Sequence, residues 1–269
     1  LHDDQSRMTL GVQYALFGMS LAVGLFIGML ALPELGRRMG QRRLAADTEG
    51  ARAGVGVVDA AVFALLGLLL AFTFSGAAER FDRRRHLVVE EADAIGTAYL
   101  RLDLLPSDAQ SSLREKFRRY VETRLAVYRK MPDLLAERAE LAKAVALQGE
   151  IWSQAVAATS GERFQPARVM VLPALNAMID ITTTRTVAAQ THPPMVIYAM
   201  LVIVALAGSL LAGNGMAGGT SRPWLHMIGF AVATTLVVYV ILDLEFPRVG
   251  LIRLEAFDRV LVDVRESMN

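Results

Sequence analysis

The side chains that most often carry out catalysis are few in this sequence and are not spaced for it. The four histidines, His2, His86, His192 and His226, stand far apart, and no two have the i, i+4 spacing that presents two metal ligands on one helix face. Cysteine is absent, which excludes thiolate metal sites and cysteine nucleophiles. No Gly-x-Ser-x-Gly, phosphate-binding loop or His-Glu-x-x-His occurs. We therefore expect no enzyme, no metal site and no cofactor.

A periodic stripe of mostly apolar residues ends at the charged residue Glu79. It consists of Leu65, Leu68, Phe72, Ser75 and Glu79, spaced so that they share one face of a helix, with Phe74 beside it. An apolar face that ends in polar residues fits a hydrophobic gate, which stops ions by losing its water. It also fits packing against lipid or another helix, with Gly76 allowing a close crossing. Spacing alone leaves both interpretations open.

Charged residues at the borders of apolar stretches form a third group, a predicted membrane-end polar network of Asp59, Glu90, Asp180, Arg185 and Asp243. None lies deep in an apolar stretch, so a proton or ion relay through the middle of a membrane is not indicated. Glu90, Glu91 and Asp93 point in different directions on a helix, and we expect them to be solvated or paired with arginine. For Asp180 and Arg185, pairing with another helix and a place on an ion path both stay open.

The elements that position these residues follow from the distribution of charge. All 28 basic and 27 acidic side chains lie outside four stretches, 8–33, 60–78, 186–221 and 223–242. Each stretch provides the roughly 20 residues with which a helix crosses a bilayer. A water-soluble enzyme would carry charge on every surface element, so that class is excluded. We predict transmembrane helices at about 12–32, 59–78, 195–211 and 224–242.

Two further observations limit the class of protein. The first stretch is too long for a signal-peptide core and follows acidic Asp3 and Asp4, so we expect a retained span. It is expected to end at Pro33-Glu34 and to lead into a loop that reaches Asp59. A net charge of +1 gives no electrostatic argument for a nucleic-acid partner, and we expect none.

The polar segment between the second and third spans is helical by its periodicity. No break signal occurs between the second span and Pro106, so one helix is expected to leave the membrane and continue to about residue 104. An apolar face follows at Leu113, Phe117, Tyr120, Val121, Arg124 and Tyr128, and a second at Leu134, Leu141, Val145, Trp152 and Val156. A third helix is expected at about 167–190, and a short one at about 254–268.

This pattern predicts an all-α membrane protein of four transmembrane helices, with a membrane-proximal helical bundle between spans two and three. The expected divisions are 1–78 (spans one and two with a basic loop), 79–190 (the polar helical domain), 191–243 (a hairpin of spans three and four) and 244–269 (a polar tail). Orientation stays open. Of the arginines near the membrane ends, 10 lie on the side of residues 79–185 and both termini, and 6 lie on the opposite side. This excess places residues 79–185 and both termini in the cytoplasm, whereas the arginines that flank the first span favour the reverse orientation.

Three blocks carry a resemblance to a known family. They are 72–76 (Phe-Thr-Phe-Ser-Gly), 90–101 (Glu-Glu-Ala-Asp-Ala-Ile-Gly-Thr-Ala-Tyr-Leu-Arg) and 241–250 (Ile-Leu-Asp-Leu-Glu-Phe-Pro-Arg-Val-Gly). With four spans and a helical domain between two and three, the sequence resembles the bestrophin-like family of bacterial membrane proteins. True bestrophins are pentameric anion channels, some bacterial relatives passing cations, and their pore is lined by span two with a neck of apolar and aromatic rings.

The resemblance implies an oligomeric ion channel of the bacterial inner membrane, multi-pass, homopentameric, and in contact with lipid and small inorganic ions. Phe72 and Phe74 are the residues that match such a neck. The acidic calcium clasp of true bestrophins has no counterpart here, so calcium gating is not implied. The alternative is a non-conducting membrane scaffold or sensor whose polar helices bind a partner protein.

The predicted topology can be tested by labelling single cysteines, because the chain has none of its own. Cysteines at Ser111 and Ser267 should react with an impermeant reagent from the same side of the membrane, and a cysteine at Ala45 from the opposite side. Labelling of Ala45 together with Ser111 would refute the four-span topology.

Overall fold

The fold is seen in a computed structural model that describes residues 2–46, 55–130, 133–219, 221–248, 250–252 and 254–268. Within these ranges the regular elements are α1 (His2–Ala46), α2 (Val55–Leu100), α3 (Ser107–Lys130), α4 (Leu134–Ala158), α5 (Gln165–Gln190), α6 (Met195–Gly215), α7 (Trp224–Glu245), α8 (Glu255–Glu266) and two short 3-10 turns. Four segments, containing α1, α2, α6 and α7, are long and apolar enough to cross a membrane. The predicted all-α membrane fold is confirmed.

The chain divides into two compact units. The membrane unit comprises Tyr14–Glu79 and His192–Phe246 and contains the four apolar segments. The helical domain comprises Leu1–Gln13, Arg80–Thr191 and Pro247–Asn269, and includes α3, α4, α5 and α8. Helix α1 crosses the boundary between Gln13 and Tyr14, and helix α2 crosses it between Glu79 and Arg80. Helix α2 continues from Val55 to Leu100 and is followed by the 3-10 turn Arg101–Leu104, which confirms the expected unbroken helix to about residue 104.

The expected end of the first helix at Pro33-Glu34 is wrong. Helix α1 passes through Pro33 and ends at Ala46, α2 begins at Val55, and residues 47–54 lie outside the described residues. A proline removes one backbone donor and strains one turn, but it stops a helix only where packing does not hold the following turns. Here Pro33, Gly36 and Gly40 are buried at i, i+3 and i+7, so the following turns are held.

That buried stripe forms a close crossing between α1 and α6. A Cβ added at Gly36 would overlap the carbonyl oxygen of Leu210, and one added at Gly213 would overlap the carbonyl oxygen of Pro33. A Cβ at Gly40 would stand 2.6 Å from the Cβ of Ala217. Between membrane helices the hydrophobic effect contributes little, so close backbone packing through small residues holds them together.

The core of the helical domain confirms one predicted face and corrects another. On α3, Leu113, Phe117, Tyr120, Val121 and Arg124 are buried as expected. On α4 the expected face is partly wrong: Trp152 packs half-buried against the core, but Val145 is 56% exposed, and the fully buried residues are Ala144, Leu147, Gln148, Ile151 and Ala155. Gln148 is buried because its Nε2 donates hydrogen bonds to the Tyr120 hydroxyl at 3.0 Å and the Thr182 hydroxyl at 3.2 Å. A polar side chain with such partners enters a core at little cost.

The close crossing of α1 and α6 generates a stability prediction. Gly36→Ala should lower the free energy of unfolding by about 1–3 kcal/mol or more, because its methyl group forces two backbones apart. Thermal unfolding of the purified protein in detergent measures the change.

The matched control is Gly24→Ala in the same helix, where a Cβ would meet nothing within 4 Å. It should be neutral or slightly stabilising, since alanine has the better helix propensity by about 1 kcal/mol. Equal unfolding temperatures for the two variants would contradict the crossing.

Candidate functional site

The predicted gate residues lie on a face of α2 that the rest of the chain leaves uncovered. All five stripe residues, Leu65, Leu68, Phe72, Ser75 and Glu79, are exposed, and Phe72 keeps 69% of its surface open. The far side of the same helix carries Leu66, Thr73 and Ala77, which are buried in the membrane unit. The stripe is therefore available to lipid, to another copy of the chain or to water.

The two phenylalanines matched to a pore neck do not share one face. Phe74 is 43% exposed, but successive residues of an α-helix are rotated by about 100°, so Phe72 and Phe74 point in directions about 160° apart. A single ring around a central axis can include one of them. Phe72 is the one that lies on the stripe with Ser75 and Glu79.

Two residues of the predicted polar network lie at opposite ends of the membrane unit. Asp59 stands beside Gly215, at the end of α6 from which the turn leads to α7, and its Oδ1 atom is buried without a hydrogen-bond partner among the described residues. Asp243 is buried in the last turn of α7, at the other end of a helix about 30 Å long. These two carboxylates do not share a site.

The residues of the predicted polar network that lie in the helical domain do not share a site either. Glu90 and Asp180 are exposed, whereas Arg185 is buried. The carboxylate that meets Arg185 is Glu91, the neighbour of Glu90 on the other side of the helix, and Glu91 is fully buried. Of the predicted residues of this domain, Arg185 is the one that enters the buried ion network.

Glu91 is the centre of that network, which joins four helices. Its Oε1 atom accepts a hydrogen bond from Nε of Arg124 on α3 at 2.5 Å, and its Oε2 atom accepts one from Nη1 of Arg185 on α5. Nη2 of Arg185 reaches Oδ1 of Asp258 on α8 at 3.3 Å. Arg248 binds the same carboxylate with both terminal nitrogens, at 2.6 and 3.0 Å. Paired geometry of this kind gives the stronger ion pairs of proteins.

The ring of Tyr128 packs among the three arginines. The guanidinium carbon of Arg185 lies 3.7 Å from the ring centroid, that of Arg248 4.9 Å and that of Arg124 5.0 Å. The Tyr128 hydroxyl donates a hydrogen bond to Oε2 of Glu91 at 3.2 Å and accepts one from Arg124. The aromatic face and the hydroxyl together stabilise cations that have lost their water.

The charges fix the protonation state of Glu91. Burial by itself would raise the pKa of its carboxyl group, but the charges and hydrogen bonds of Arg124 and Arg185 outweigh burial and hold the pKa of Glu91 below its ordinary value. Glu91 is therefore ionised at neutral pH. Burial raises the pKa of the Tyr128 hydroxyl, and the nearby carboxylate of Glu91 raises it further. The tyrosine stays neutral.

Sequence comparison then supplies the family. A sequence model of the bestrophin-like domain matches residues 23–256, a range that extends from α1 through the first residues of α8. The chain belongs to the bestrophin-like family. The resemblance carried by blocks 72–76, 90–101 and 241–250 is confirmed. No curated protein sequence matches this chain.

Two crystal structures share the fold of this bestrophin-like protein. Both are mutants of a bacterial bestrophin homolog from Klebsiella pneumoniae. One is 15% identical, with a TM-score of 0.61 over 90% of this chain and 99% of the other. The second is 14% identical, with a TM-score of 0.64 over 91% of this chain and 98% of the other. At this level of identity the similarity shows the fold alone.

Sequence reasoning missed several members of the network in this bestrophin-like chain, although a signal was present. Glu91 lies on the buried apolar face of α2 with Leu87, Val88, Ala92 and Ile95, whereas Glu90 does not. Arg124 and Tyr128 belong to the predicted apolar face of α3. A charge on an apolar face requires a buried partner, so Glu91 and Arg124 could have been paired. Among the described residues, no three His, Asp or Glu side chains lie close enough to hold a metal ion.

The network generates a prediction for the bestrophin-like protein. Glu91→Gln should lower the free energy of unfolding by about 3–5 kcal/mol, because Arg124 would lose the carboxylate it is buried against and Arg185 would keep only Asp258. Glu90→Gln, at the exposed neighbouring position, should have almost no effect. Thermal unfolding in detergent at neutral pH compares them.

The same pair of variants gives a pH test. The folded-state pKa of Glu91 is lower than its unfolded value of about 4.3, so its contribution is complete above that pH and is lost as the pH falls through the folded value. Wild type and Glu90→Gln should therefore lose stability on acidification below about pH 4.3, and Glu91→Gln should lose less. Parallel acid profiles for all three proteins would contradict the assignment.

Proposed function

We propose that this protein is an oligomeric ion channel whose pore is lined by α2, with Phe72 as its apolar constriction. The observation that carries the proposal is how little of α2 the chain covers. Only 6% of the residues in the most apolar stretch of α2 are buried. The corresponding share is 17% in the segment of α1 and 28% in each of the segments that contain α6 and α7. Membership of the bestrophin-like family gives the class of function.

The interior of the membrane unit supports a pore between copies of the chain. Its core is filled by the side chains of Leu25, Met29, Leu66, Ala205, Ala231 and Val238. A core packed in this way leaves little room for a column of water inside one protomer. Conduction therefore requires several copies around a common axis, and the resemblance to bestrophins favours five. We place this homo-oligomer in the bacterial inner membrane as a multi-pass protein that contacts lipid and small inorganic ions.

The order of residues along the stripe supports the position of the gate. Leu65, Leu68 and Phe72 are apolar, Ser75 is polar and Glu79 is charged, and all five are exposed. A ring of Phe72 side chains would empty a narrow neck of water and so raise the barrier to ions. A ring of Glu79 carboxylates at the end of the stripe would favour cations at that mouth. The proposal uses no cofactor, metal or catalytic step.

Phe72→Ala tests the constriction. The substitution removes one bulky side chain from every subunit of the ring, which widens the neck and lowers the barrier to hydrated ions. Ion flux in liposomes should therefore increase strongly. Because Phe72 is 69% exposed, its truncation leaves little cavity inside the protomer, and the variant should fold and assemble like wild type.

The control is Phe63→Ala. Phe63 packs edge-on against Phe230, with ring centroids 5.6 Å apart, and approaches Gly208. Because Phe63 is half-buried, its truncation should lower stability by about 0.5–3 kcal/mol through lost packing, without a comparable increase in flux per assembled channel. If wild type and Phe72→Ala assemble normally and pass neither anions nor cations under several stimuli, the channel is refuted in favour of a scaffold or sensor.

A further inference from the structure

A cleft of about 620 Å³ opens between α2 and α5 in the helical domain. Arg80 and Arg83 line it from α2, Asp180 and Val187 are among the residues that line it from α5, and Thr191 lines it directly after the end of α5. None of these residues belongs to the Glu91 network. The cleft therefore needs its own explanation.

The two walls of the cleft are fixed to each other by Arg84. Its side chain is buried, with Nε donating to the carbonyl oxygen of Ala188 at 3.2 Å and Nη2 donating to that of Thr191 at 2.9 Å. These carbonyls belong to the end of α5, where backbone acceptors lack helical partners and the helix dipole is negative. Arg84 satisfies them and offsets that negative field, so an anion can approach this end of the cleft.

The lining changes in character along the cleft. Arg80 and Arg83 are one turn apart on α2, and guanidinium groups bind phosphate oxygens in paired geometry. Val187 is 58% exposed and, with Ala188, provides an apolar surface. Asp180 lies eight residues before Ala188, about 12 Å along α5, and can accept a hydrogen bond there. This order of cationic, apolar and acceptor groups fits an amphiphile better than a simple ion.

Each wall adjoins an apolar helix along the chain. The charge-free stretch 60–78 of α2 ends one residue before Glu79 and Arg80, and α5 is followed by α6 at Met195. Lipid headgroups occupy the layer where apolar spans end, and arginines in that layer attract anionic lipids. The position of Arg80 and Arg83 directly after an apolar stretch therefore favours a phospholipid as the ligand.

We propose that the cleft binds the phosphate-bearing headgroup of a membrane phospholipid. Arg80 and Arg83 bind the phosphate, Val187 contacts the glycerol and the start of the acyl chains, and Asp180 accepts a hydrogen bond from a headgroup hydroxyl or ammonium group. Binding at this cleft does not require the protein to conduct ions.

The test titrates delipidated full-length protein in a neutral detergent with three probes: phosphatidylglycerol, diacylglycerol and inorganic phosphate. Phosphatidylglycerol should bind and raise the unfolding temperature, because a ligand that binds only the folded state stabilises it. Diacylglycerol, which lacks phosphate, and inorganic phosphate, which lacks the apolar part, should bind much more weakly. Equal binding of diacylglycerol would refute the phosphate site, and equal binding of inorganic phosphate would refute a lipid as the ligand.

Two variants and a matched control complete the test. Arg83→Gln should raise the Kd for phosphatidylglycerol about fivefold and Arg80→Gln/Arg83→Gln about twenty-fivefold, the factors expected for one and two arginines near an anionic lipid surface. Arg119→Gln removes the same charge from an exposed position of α3 and should leave the Kd unchanged. Unfolding temperatures without lipid verify that the variants fold. A wild-type Kd in the folded double variant, or an equal loss in Arg119→Gln, would overturn the proposal.

Discussion

The buried carboxylate of Glu91 is the group on which the helical domain depends. It lies between Arg124 and Arg185, and through Asp258 and Arg248 its network reaches α8. Removing such a group from water costs several kcal/mol, which is recovered only when opposite charges and hydrogen-bond donors are placed against it in good geometry. The arrangement therefore tolerates few alternative packings of α2, α3, α5 and α8. A buried ion network of this kind can set the register of helices that apolar contacts alone would leave free to slide.

The two units are stabilised by different interactions, each suited to its surroundings. In the helical domain the core combines apolar side chains with ion pairs and with the Tyr120–Gln148–Thr182 hydrogen bonds. In the membrane unit, α1 and α6 approach through Gly36, Gly40 and Gly213, where no side chain intervenes. Lipid is as apolar as leucine, so burial of apolar surface gives little gain there and contact distance decides.

These differences explain what the sequence could and could not predict. The spans, the unbroken α2 and the apolar face of α3 follow from local patterns of charge and periodicity. The spacing of the larger side chains predicts the face of α4 that contains Val145. Packing instead buries Ala144 and Gln148, and Gln148 can be buried because its hydrogen-bond partners lie on other helices. Pro33 by itself predicts the end of a helix, because the packing against α6, nearly 180 residues away along the chain, is not visible in the local sequence. To predict that Glu91 is buried and Glu90 exposed, the apolar periodicity of α2 must be extended beyond the predicted membrane span.

The composition of the stripe bears on its role beyond its exposure. A face that only contacts lipid gains nothing from becoming polar along its length, and a charge near hydrocarbon is costly. The stripe nevertheless changes from Leu65 to Ser75 and then to Glu79 over fourteen residues, about 21 Å of helix. Packing against another protomer would require partners for Ser75 and Glu79, and water provides them without further structure. The proposed apolar neck at Phe72, opening into a hydrated mouth at Glu79, would account for the order of these residues.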